Sequence, residues 1–271
     1  MVIAVVAAAA VTGGGCRGAA QVRPPRAVAS QEATATTTTA PLFADPPEVV
    51  EHGPRDRPYV ALTFDSNLTD FMIGELERGA VGSFYNAAVV DELERLAVPA
   101  TFFLAGKWMQ RYPDAVRRLA SNPLFELGSH SYSHRAFAVP CYGLRKLDVA
   151  DMAADVEASE ALLRAATPSP TRYFRFPGGC YDGAALAGIT GTGVVVVQYD
   201  VASGDAFGRS APAIVHHVLG SVRNGSIVVM HVTGGNTAPL TAEALGPIVD
   251  GLRARGFTLV RLSELLGRGA E

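Results

Sequence analysis

Two histidines four residues apart, His130 and His134, are the residues whose type and spacing most directly suggest chemistry. They lie in the polar segment 128–134, directly after the short apolar run 124–127, which is typical of a buried strand. If the backbone turns helically at this point, the two imidazoles face the same side and can bind one metal ion. The alternative is a pair of surface histidines in a loop rich in Ser and Tyr.

Ionisable residues follow several other apolar, β-branched runs of the sequence in the same way. In a barrel of parallel strands, the carboxyl ends of all strands converge on one face. Each such residue alone could be a turn or surface residue, but the repeated placement predicts one shared site. The residues so placed are Asp65, His130, His134, Arg175, Asp200, Asp205 and His231.

The elements that must position these residues alternate between strand and helix about seven times from residue 57 onward. This alternation predicts an α/β fold with parallel strands and crossover helices. Periodicity alone fits either a (β/α) barrel or an open doubly wound sheet. No Gly-x-Gly-x-x-Gly follows the first predicted strand, which disfavours a dinucleotide-binding fold. The predicted strands are 59–64, 100–104, 124–127, 173–176, 194–197, 227–230 and 258–260, and the predicted helices are 86–96, 113–119, 147–165, 211–222, 242–255 and a closing helix from 263.

The amino-terminal segment has the composition of an export signal. Residues 2–11 are only Val, Ile and Ala, a run too short to span a bilayer. The small residues before Cys16 resemble the lipobox of bacterial lipoproteins, although Gly13 stands at its usual Leu and no basic residue precedes the run. Residues 17–46, rich in Ala, Pro and Thr, predict a flexible tether. We therefore expect a leader over 1–16, a tether over 17–46 and one exported domain over 47–271, held at the cell envelope or released outside the cell.

Charge and cysteine content limit the partners and the compartment. The formal net charge of −3 is scattered along the chain, which gives no case for nucleic acid. We expect membrane contact only through a lipid on Cys16. Cys141 and Cys180 remain for an oxidising compartment, and we predict a disulfide between them. The alternative is two free buried thiols.

Taken in order, these motifs resemble those of the NodB-like polysaccharide deacetylases, carbohydrate esterase family four. Thr-Phe-Asp at 63–65 resembles that family's Thr-Phe-Asp-Asp, and 130–134 matches its His-Ser/Thr-x-x-His. Arg-Phe-Pro-Gly-Gly at 175–179 is similar to its Arg-x-Pro-Tyr/Phe-Gly. Asp205 falls on the second Asp of Asp-x-x-Asp-Trp, and His231 on the end of Leu-x-His.

The resemblance covers about residues 57 to 265 and implies a single distorted (β/α) barrel of about seven parallel strands. It also implies a divalent metal, zinc in type, and hydrolysis of N-acetyl groups on a polymer of β-linked amino sugars. A metal can polarise the amide carbonyl and activate water, and a histidine can protonate the amine. The roles carried over are metal ligand for His130 and His134, base for Asp65, orienting group for Arg175, acid for His231 and support of that acid for Asp205.

The first motif departs from the family pattern at its third metal ligand. Ser66 stands at the second Asp, and Asn67 follows it, a reading similar to an actinobacterial branch of the family. Relatives that read Asp-Ala-Asp suggest that the ligand is Asn67. Alternatively Asp65 itself binds the metal, which leaves the base unassigned. Other departures are Gly178 at an aromatic of the third motif, expected to open the floor of the groove, and Ala202 and Ala206 at the first Asp and the Trp of the fourth.

We therefore expect an exported, metal-dependent hydrolase that removes N-acetyl groups from amino sugars of a cell-wall or related polysaccharide. Asp65, Arg175 and His231 together favour catalysis, because a binding module needs no base or acid. The alternative is a catalytically impaired member that binds glycan or metal. A smaller possibility is the same site acting on another amide or ester. We expect His216 and His217 to be structural or surface residues, and Asn236 and Thr237 to line the site or form a polar loop.

Overall fold

The computed structural model describes residues 46–208 and 210–268 of the chain. The predicted leader 1–16 with Cys16, and the predicted tether 17–46 except its last residue, lie outside the described residues. Of the helices in these two ranges, none is both long enough and apolar enough to cross a membrane.

Within the described ranges, nine strands form one sheet in which all paired strands run parallel. They are β1 (Val49–Val50), β2 (Tyr59–Ser66), β3 (Ala100–Leu104), β4 (Phe125–Ser129), β5 (Tyr173–Phe174), β6 (Val195–Val197), β7 (Val201–Ala202), β8 (Ser226–His231) and β9 (Thr258–Leu259). The order across the sheet is β1-β6-β5-β4-β3-β2-β8-β7, and β9 pairs with the start of β2. The sheet curls into a half-barrel surrounded by helices, which confirms the predicted α/β fold of parallel strands.

Helices make the crossover connections that parallel strands require. Several begin at a side chain that satisfies a free N–H of the first turn. Thr69, Asp182 and Ser210 each accept such a hydrogen bond from the helix that follows. The helices are α1 (Asp70–Glu77), α2 (Ala87–Arg95), α3 (Gly106–Arg111), α4 (Pro113–Ser121), α5 (Met152–Ala166), α6 (Gly183–Gly188), α7 (Ala211–Ser221), α8 (Thr241–Ala254) and α9 (Leu262–Leu265), with 3-10 turns at Val149–Asp151 and Pro177–Gly179.

Alternation along the strands assigns their side chains to two different faces. In β2, Phe64 packs in the large cluster that includes the surrounding helices, whereas Ala61 packs in a smaller cluster on the opposite face. Asp65 shares the face of Ala61. In β8, Ile227 belongs to the same smaller cluster, and His231 shares its face. The strand pattern alone therefore directs a carboxylate and an imidazole to the same side of the sheet.

Most predicted elements are present with shifted bounds. The helix predicted from residue 147 begins at Met152, after a 3-10 turn, and the strand predicted over 173–176 ends at Phe174. The prediction missed β1, β7, α1, α3 and α6. Each is between two and eight residues long, too short for a periodic signal to stand out.

Candidate active site

The carboxyl ends of β2 and β8 carry two of the predicted catalytic residues. Asp65 and His231 are direct partners in the parallel register of these strands. Asp65 is buried, whereas the side chain of His231 is 18% exposed. A carboxylate and an imidazole are therefore neighbours at the edge of the sheet where the strand-end residues were predicted to meet.

Arg175, the residue after β5, is fully buried and holds the carboxylate of Asp65. Its Nη1 donates hydrogen bonds to Oδ1 of Asp65 at 2.7 Å and to Oγ1 of Thr63 at 2.8 Å. Its Nε and Nη2 donate to the carbonyl oxygens of Val197 and Gln198 at 3.0 and 3.1 Å. Removing one member of a buried ion pair leaves the other charge uncompensated, so this pair is strongly fixed. Arg175 thus has the contacts of a group that orients Asp65.

His130 and His134 lie on a turn after β4 that is not helical, so the helical backbone considered as a condition for their pairing is absent here. Ser131 and His134 have φ of 67° and 53°, in the left-handed region. This turn still brings the two rings together, with centroids 5.1 Å apart. Nδ1 of His130 bonds the carbonyl oxygen of Arg175 at 2.9 Å. Its Nε2 is left for another partner and lies 3.7 Å from Oδ2 of Asp65.

Asp155 of α5 holds this turn in place. Its carboxylate accepts hydrogen bonds from the backbone N–H groups of Tyr132 at 2.7 Å and Ser133 at 3.2 Å. Oγ of Ser131 accepts a further bond from the N–H of His134 at 3.0 Å. Sequence reasoning missed Asp155, because it is one of several acidic residues on a helix distant in sequence from the turn.

Among the site residues predicted from the motifs, three buried polar atoms have no hydrogen-bond partner within the described residues. They are Nδ1 and Nε2 of His134 and Oδ1 of Asn67. Ser66 has a different environment: it is fully buried, and its Oγ accepts a bond from the N–H of Ala105 at 3.1 Å. Ser66 is therefore no substitute for the missing ligand, whereas Asn67 offers an unpaired oxygen and Asp65, the alternative, has Oδ2 free of the bond to Arg175.

These unpaired atoms fit a metal ion. Burial lowers the pKa of His134 well below its usual value, and the neighbouring His130 and His231 add to the effect. Burial likewise lowers the pKa of His130. Neutral imidazole nitrogens and an oxygen atom are donors that zinc accepts. In the part of the chain that the structure describes, no three His, Cys, Asp or Glu side chains are grouped to hold a metal.

His231 is held by Asp205. The carboxylate of Asp205 accepts bonds from Nδ1 and the backbone N–H of His231, both at 2.8 Å. It also accepts from Oγ1 of Thr241 at 2.7 Å and Oγ of Ser203 at 3.0 Å. Burial disfavours a charged ring, but the adjacent carboxylate outweighs it and raises the pKa of His231 above its usual value. This pairing therefore favours the protonated imidazole.

Asp200 does not belong to the site, so its predicted place there was wrong. Its carboxylate bonds Arg55 at 2.8 Å and the N–H of Ile227, near the start of β8, also at 2.8 Å. It thus lies at the opposite end of that strand from His231. His216 and His217 are exposed on α7, which confirms that they are surface residues.

The remaining predicted residues surround one cavity of about 360 Å³. A second cavity of about 530 Å³ shares several lining residues with it. Sequence reasoning missed three aromatic residues of the first cavity, Tyr142, Tyr199 and Phe207, because they lie outside the motifs. The predicted residues that line it are Asp65, Asn67, His130, His134, Asp205, His231, Asn236 and Thr237.

A disulfide between Cys141 and Cys180, with Cα atoms 5.9 Å apart, confirms the predicted pairing. A Cβ atom on Gly178 would lie 2.7 Å from Sγ of Cys141 and 3.1 Å from Cδ2 of Tyr142. The floor expected to open at Gly178 is therefore occupied, and that prediction was wrong. The disulfide and Tyr142 fill the space that a side chain at this position would need.

Comparison with known proteins is consistent with this geometry. The polysaccharide deacetylase profile matches residues 52–197. A peptidoglycan-N-acetylglucosamine deacetylase of Bacillus cereus is 28% identical over 219 residues, which are 81% of this chain and 72% of that protein. The crystal structure of a peptidoglycan N-acetylglucosamine deacetylase is 27% identical, with a TM-score of 0.68, and covers 82% of this chain and 94% of its own.

A further crystal structure with the same fold is described as a CE4 family pseudoenzyme from Bacillus anthracis. It is 21% identical with a TM-score of 0.66, and the match covers 82% of this chain and 70% of that one. At this identity the likeness concerns the fold alone. The family assignment rests instead on the profile match, which spans more than half of the chain. The chain therefore belongs to the polysaccharide deacetylase family.

Proposed function

We propose that this chain is an exported, zinc-dependent deacetylase that removes N-acetyl groups from amino sugars of a cell-wall or related polysaccharide. The observation that carries the proposal is that the cavity has two sides, one suited to bind a metal and one suited to transfer protons. One side offers the unpaired donors of His134 and Asn67 beside His130. The other offers Asp65 and His231, each fixed by a buried partner.

The chemistry follows from which atoms are free. Zinc bound by His130, His134 and Asn67 would polarise the amide carbonyl and acidify a water molecule. Asp65 would take a proton from the attacking water on Oδ2, because Arg175 occupies Oδ1.

The leaving amine needs a proton as the C–N bond breaks. His231 would donate it from Nε2, because Nδ1 is bonded to Asp205. Water thus gives its oxygen to acetate, the bond between the acetyl carbon and the sugar nitrogen is broken, and the amino sugar leaves with a free amine. The two carboxylates would have different roles. Asp65 would accept a proton from water, whereas Asp205 would stabilise the protonated ring of His231.

Substrate and compartment are supported by independent observations. The Bacillus cereus relative is named for N-acetylglucosamine of peptidoglycan, and a chain of this sugar is the substrate class that we propose here. The disulfide is typical of an oxidising compartment. The apolar start of the sequence and Cys16 support export, with a lipid on Cys16 as the proposed anchor.

A second candidate is a catalytically impaired member that binds glycan without hydrolysing it. It is favoured by the neutral amide of Asn67, which binds a dication more weakly than a carboxylate does. The fold does not separate the candidates, because it is shared by deacetylases and by the pseudoenzyme.

Metal content and acetate release, measured together, test the proposal. The purified full chain is treated with a chelator, reloaded with zinc and assayed on tetra-N-acetylchitotetraose and on peptidoglycan. We expect one bound zinc and zinc-dependent release of acetate. Binding of glycan with no acetate at any zinc concentration would establish the second candidate instead.

The variant Asp65→Asn separates the two possible roles of this residue. If Asp65 is the base, the variant keeps its zinc and loses acetate release. If Asp65 is the third ligand, the variant loses zinc as well, and Asn67 has no direct role. Asp200→Asn is the matched control, because Asp200 is a partly buried aspartate outside the site.

A further inference from the structure

Two aromatic side chains at the cavity are far more exposed than their size predicts. Tyr142 is 69% and Phe207 is 68% exposed, although both line the cavity that contains His134 and His231. Large apolar groups are normally buried, and those that remain exposed beside a cleft mark binding surfaces.

The two rings form a single surface. Their centroids are 5.3 Å apart, and their planes differ by 32°. Rings at this distance are in contact with each other, yet each keeps more than two thirds of its surface exposed. Tyr142 also lines the second cavity of about 530 Å³, so this ring of the pair lies where the two cavities meet, whereas Phe207 lines the first cavity alone.

Each of the two aromatic residues is held by a different local structure, a disulfide beside Tyr142 and a hydrogen-bonded turn at Phe207. Tyr142 follows Cys141, which is joined to Cys180, and its backbone has φ of 47°. A bulky residue keeps such a conformation only where its surroundings impose it. Phe207 lies in the turn closed by a bond from its N–H to the carbonyl oxygen of Gly204, two residues after Asp205.

We propose that Tyr142 and Phe207 form one stacking platform for a sugar ring next to the sugar that is deacetylated. A pyranose with equatorial substituents presents C–H groups on both faces, which pack on the negative face of an aromatic ring. The platform therefore selects an oligosaccharide or polymer over a single amino sugar. This inference rests on the proposed function, because it places the acetylated sugar in the adjoining cavity.

Glycan affinity without turnover tests the platform. The full chain, with its metal chelated, is titrated calorimetrically with tetra-N-acetylchitotetraose and with monomeric N-acetylglucosamine. Tyr142→Ala and Phe207→Ala should each weaken tetramer binding about tenfold, whereas binding of the monomer stays unchanged. Tyr142→Phe should bind as the wild type does, because the ring is retained.

A control and a second variant keep the test decisive. Val149→Ala removes a side chain that is also exposed, at 43%, but does not line the cavity, and should have no effect. Phe207 stands on a different loop from the disulfide, so its variant tests the platform even if Tyr142→Ala disturbs folding. The double variant should be weaker by less than the product of the single effects, because both remove the same surface.

The outcomes separate the platform from the deacetylase. Unchanged tetramer affinity in both alanine variants, or no tetramer binding by the wild type, would overturn the platform, whatever the acetate assay shows. A change in oligomeric state with unchanged affinity would likewise overturn it and indicate protein docking. Weakened tetramer binding supports the platform even if the wild type releases no acetate, a result that would refute only the hydrolase.

Discussion

His134 and His231 line the same cavity, but their ring nitrogens have opposite environments. Both nitrogens of His134 are buried without a partner in the described residues. His231 instead gives Nδ1 to the carboxylate of Asp205 at 2.8 Å. The pKa of His134 is lowered by burial and neighbouring imidazoles, whereas Asp205 overcomes burial and raises the pKa of His231.

The difference shows how one type of side chain can be prepared for two roles. A neutral imidazole with free nitrogens suits a metal, and an imidazole that keeps its proton suits an acid. The partner decides the role, since both rings sit in largely buried surroundings. The following changes alter one of these two rings or a residue near them.

The largest effect is expected from His134→Ala. Without this imidazole only His130 and a neutral amide remain, so we expect bound zinc and acetate release to be lost while the fold is kept. Zinc content by mass spectrometry, with thermal unfolding of the chelated protein, checks this. His216→Ala is the matched control, because His216 is exposed on α7. Equal zinc in both variants would contradict the assignment.

Asp205→Asn should convert His231 towards an ordinary imidazole. General acid catalysis contributes on the order of a hundredfold to a rate, and we expect a loss of about that size in kcat. The sign of the pH effect is fixed: the acid form is lost as pH rises through the pKa of His231, and the carboxylate raises that pKa. The alkaline limb of the rate profile should therefore move to lower pH in the variant.

Thr241→Val provides the control for this shift. It removes one donor to Asp205 and leaves the carboxylate against His231. We expect a much smaller displacement of the alkaline limb. A limb that stays fixed in Asp205→Asn would exclude His231 as the group that titrates.

Asn67→Asp should strengthen the metal side of the site. A carboxylate adds a full negative charge where the amide oxygen now lies unpaired, and we expect zinc affinity to rise by about tenfold or more. Competition with a chromogenic chelator measures this. Ser66→Ala, beside it but bonded to Ala105, should leave zinc affinity unchanged. An increase in zinc affinity in Ser66→Ala, or the lack of an increase in Asn67→Asp, would show that Asn67 is not a metal ligand.

The smallest effect is expected from Asp155→Asn. This change weakens the hydrogen bonds that hold Tyr132 and Ser133, between the two histidines. Groups that orient ligands are worth about tenfold in metal affinity, and the remaining amide oxygen should limit the loss to a few-fold. Glu157→Gln, at an exposed acid of the same helix, should change nothing. A loss of thermal stability without any change in zinc affinity would make Asp155 a purely structural residue.

The sequence was most informative where the candidate site is formed by short motifs at strand ends. Alternation of strands and helices predicted the parallel sheet, and Asp65 and His231 became register partners because parallel strands align their carboxyl ends. The disulfide followed from there being two cysteines beyond the leader. Asp200 shows the limit of this reasoning: it follows a strand but bonds Arg55 and the start of β8.

What could not be predicted depends on contacts between distant segments. The turn at His130 is set by bonds from Asp155, on another element, and not by the local spacing of the histidines. The occupied space at Gly178 depends on a loop that carries Tyr142 and that no motif marks. Local sequence fixes neither, because both result from tertiary packing.

The disulfide between Cys141 and Cys180 affects when the chain becomes able to bind its polymer. If the chain is exported as we propose, it would carry Tyr142 on an untethered loop before export, because thiols are kept reduced in the cytosol. Acetylated sugars inside the cell would then meet a chain with a poorly formed platform. Formation of the disulfide after export would fix that loop. The proposed platform would then bind the polymer only in the compartment where the polymer lies.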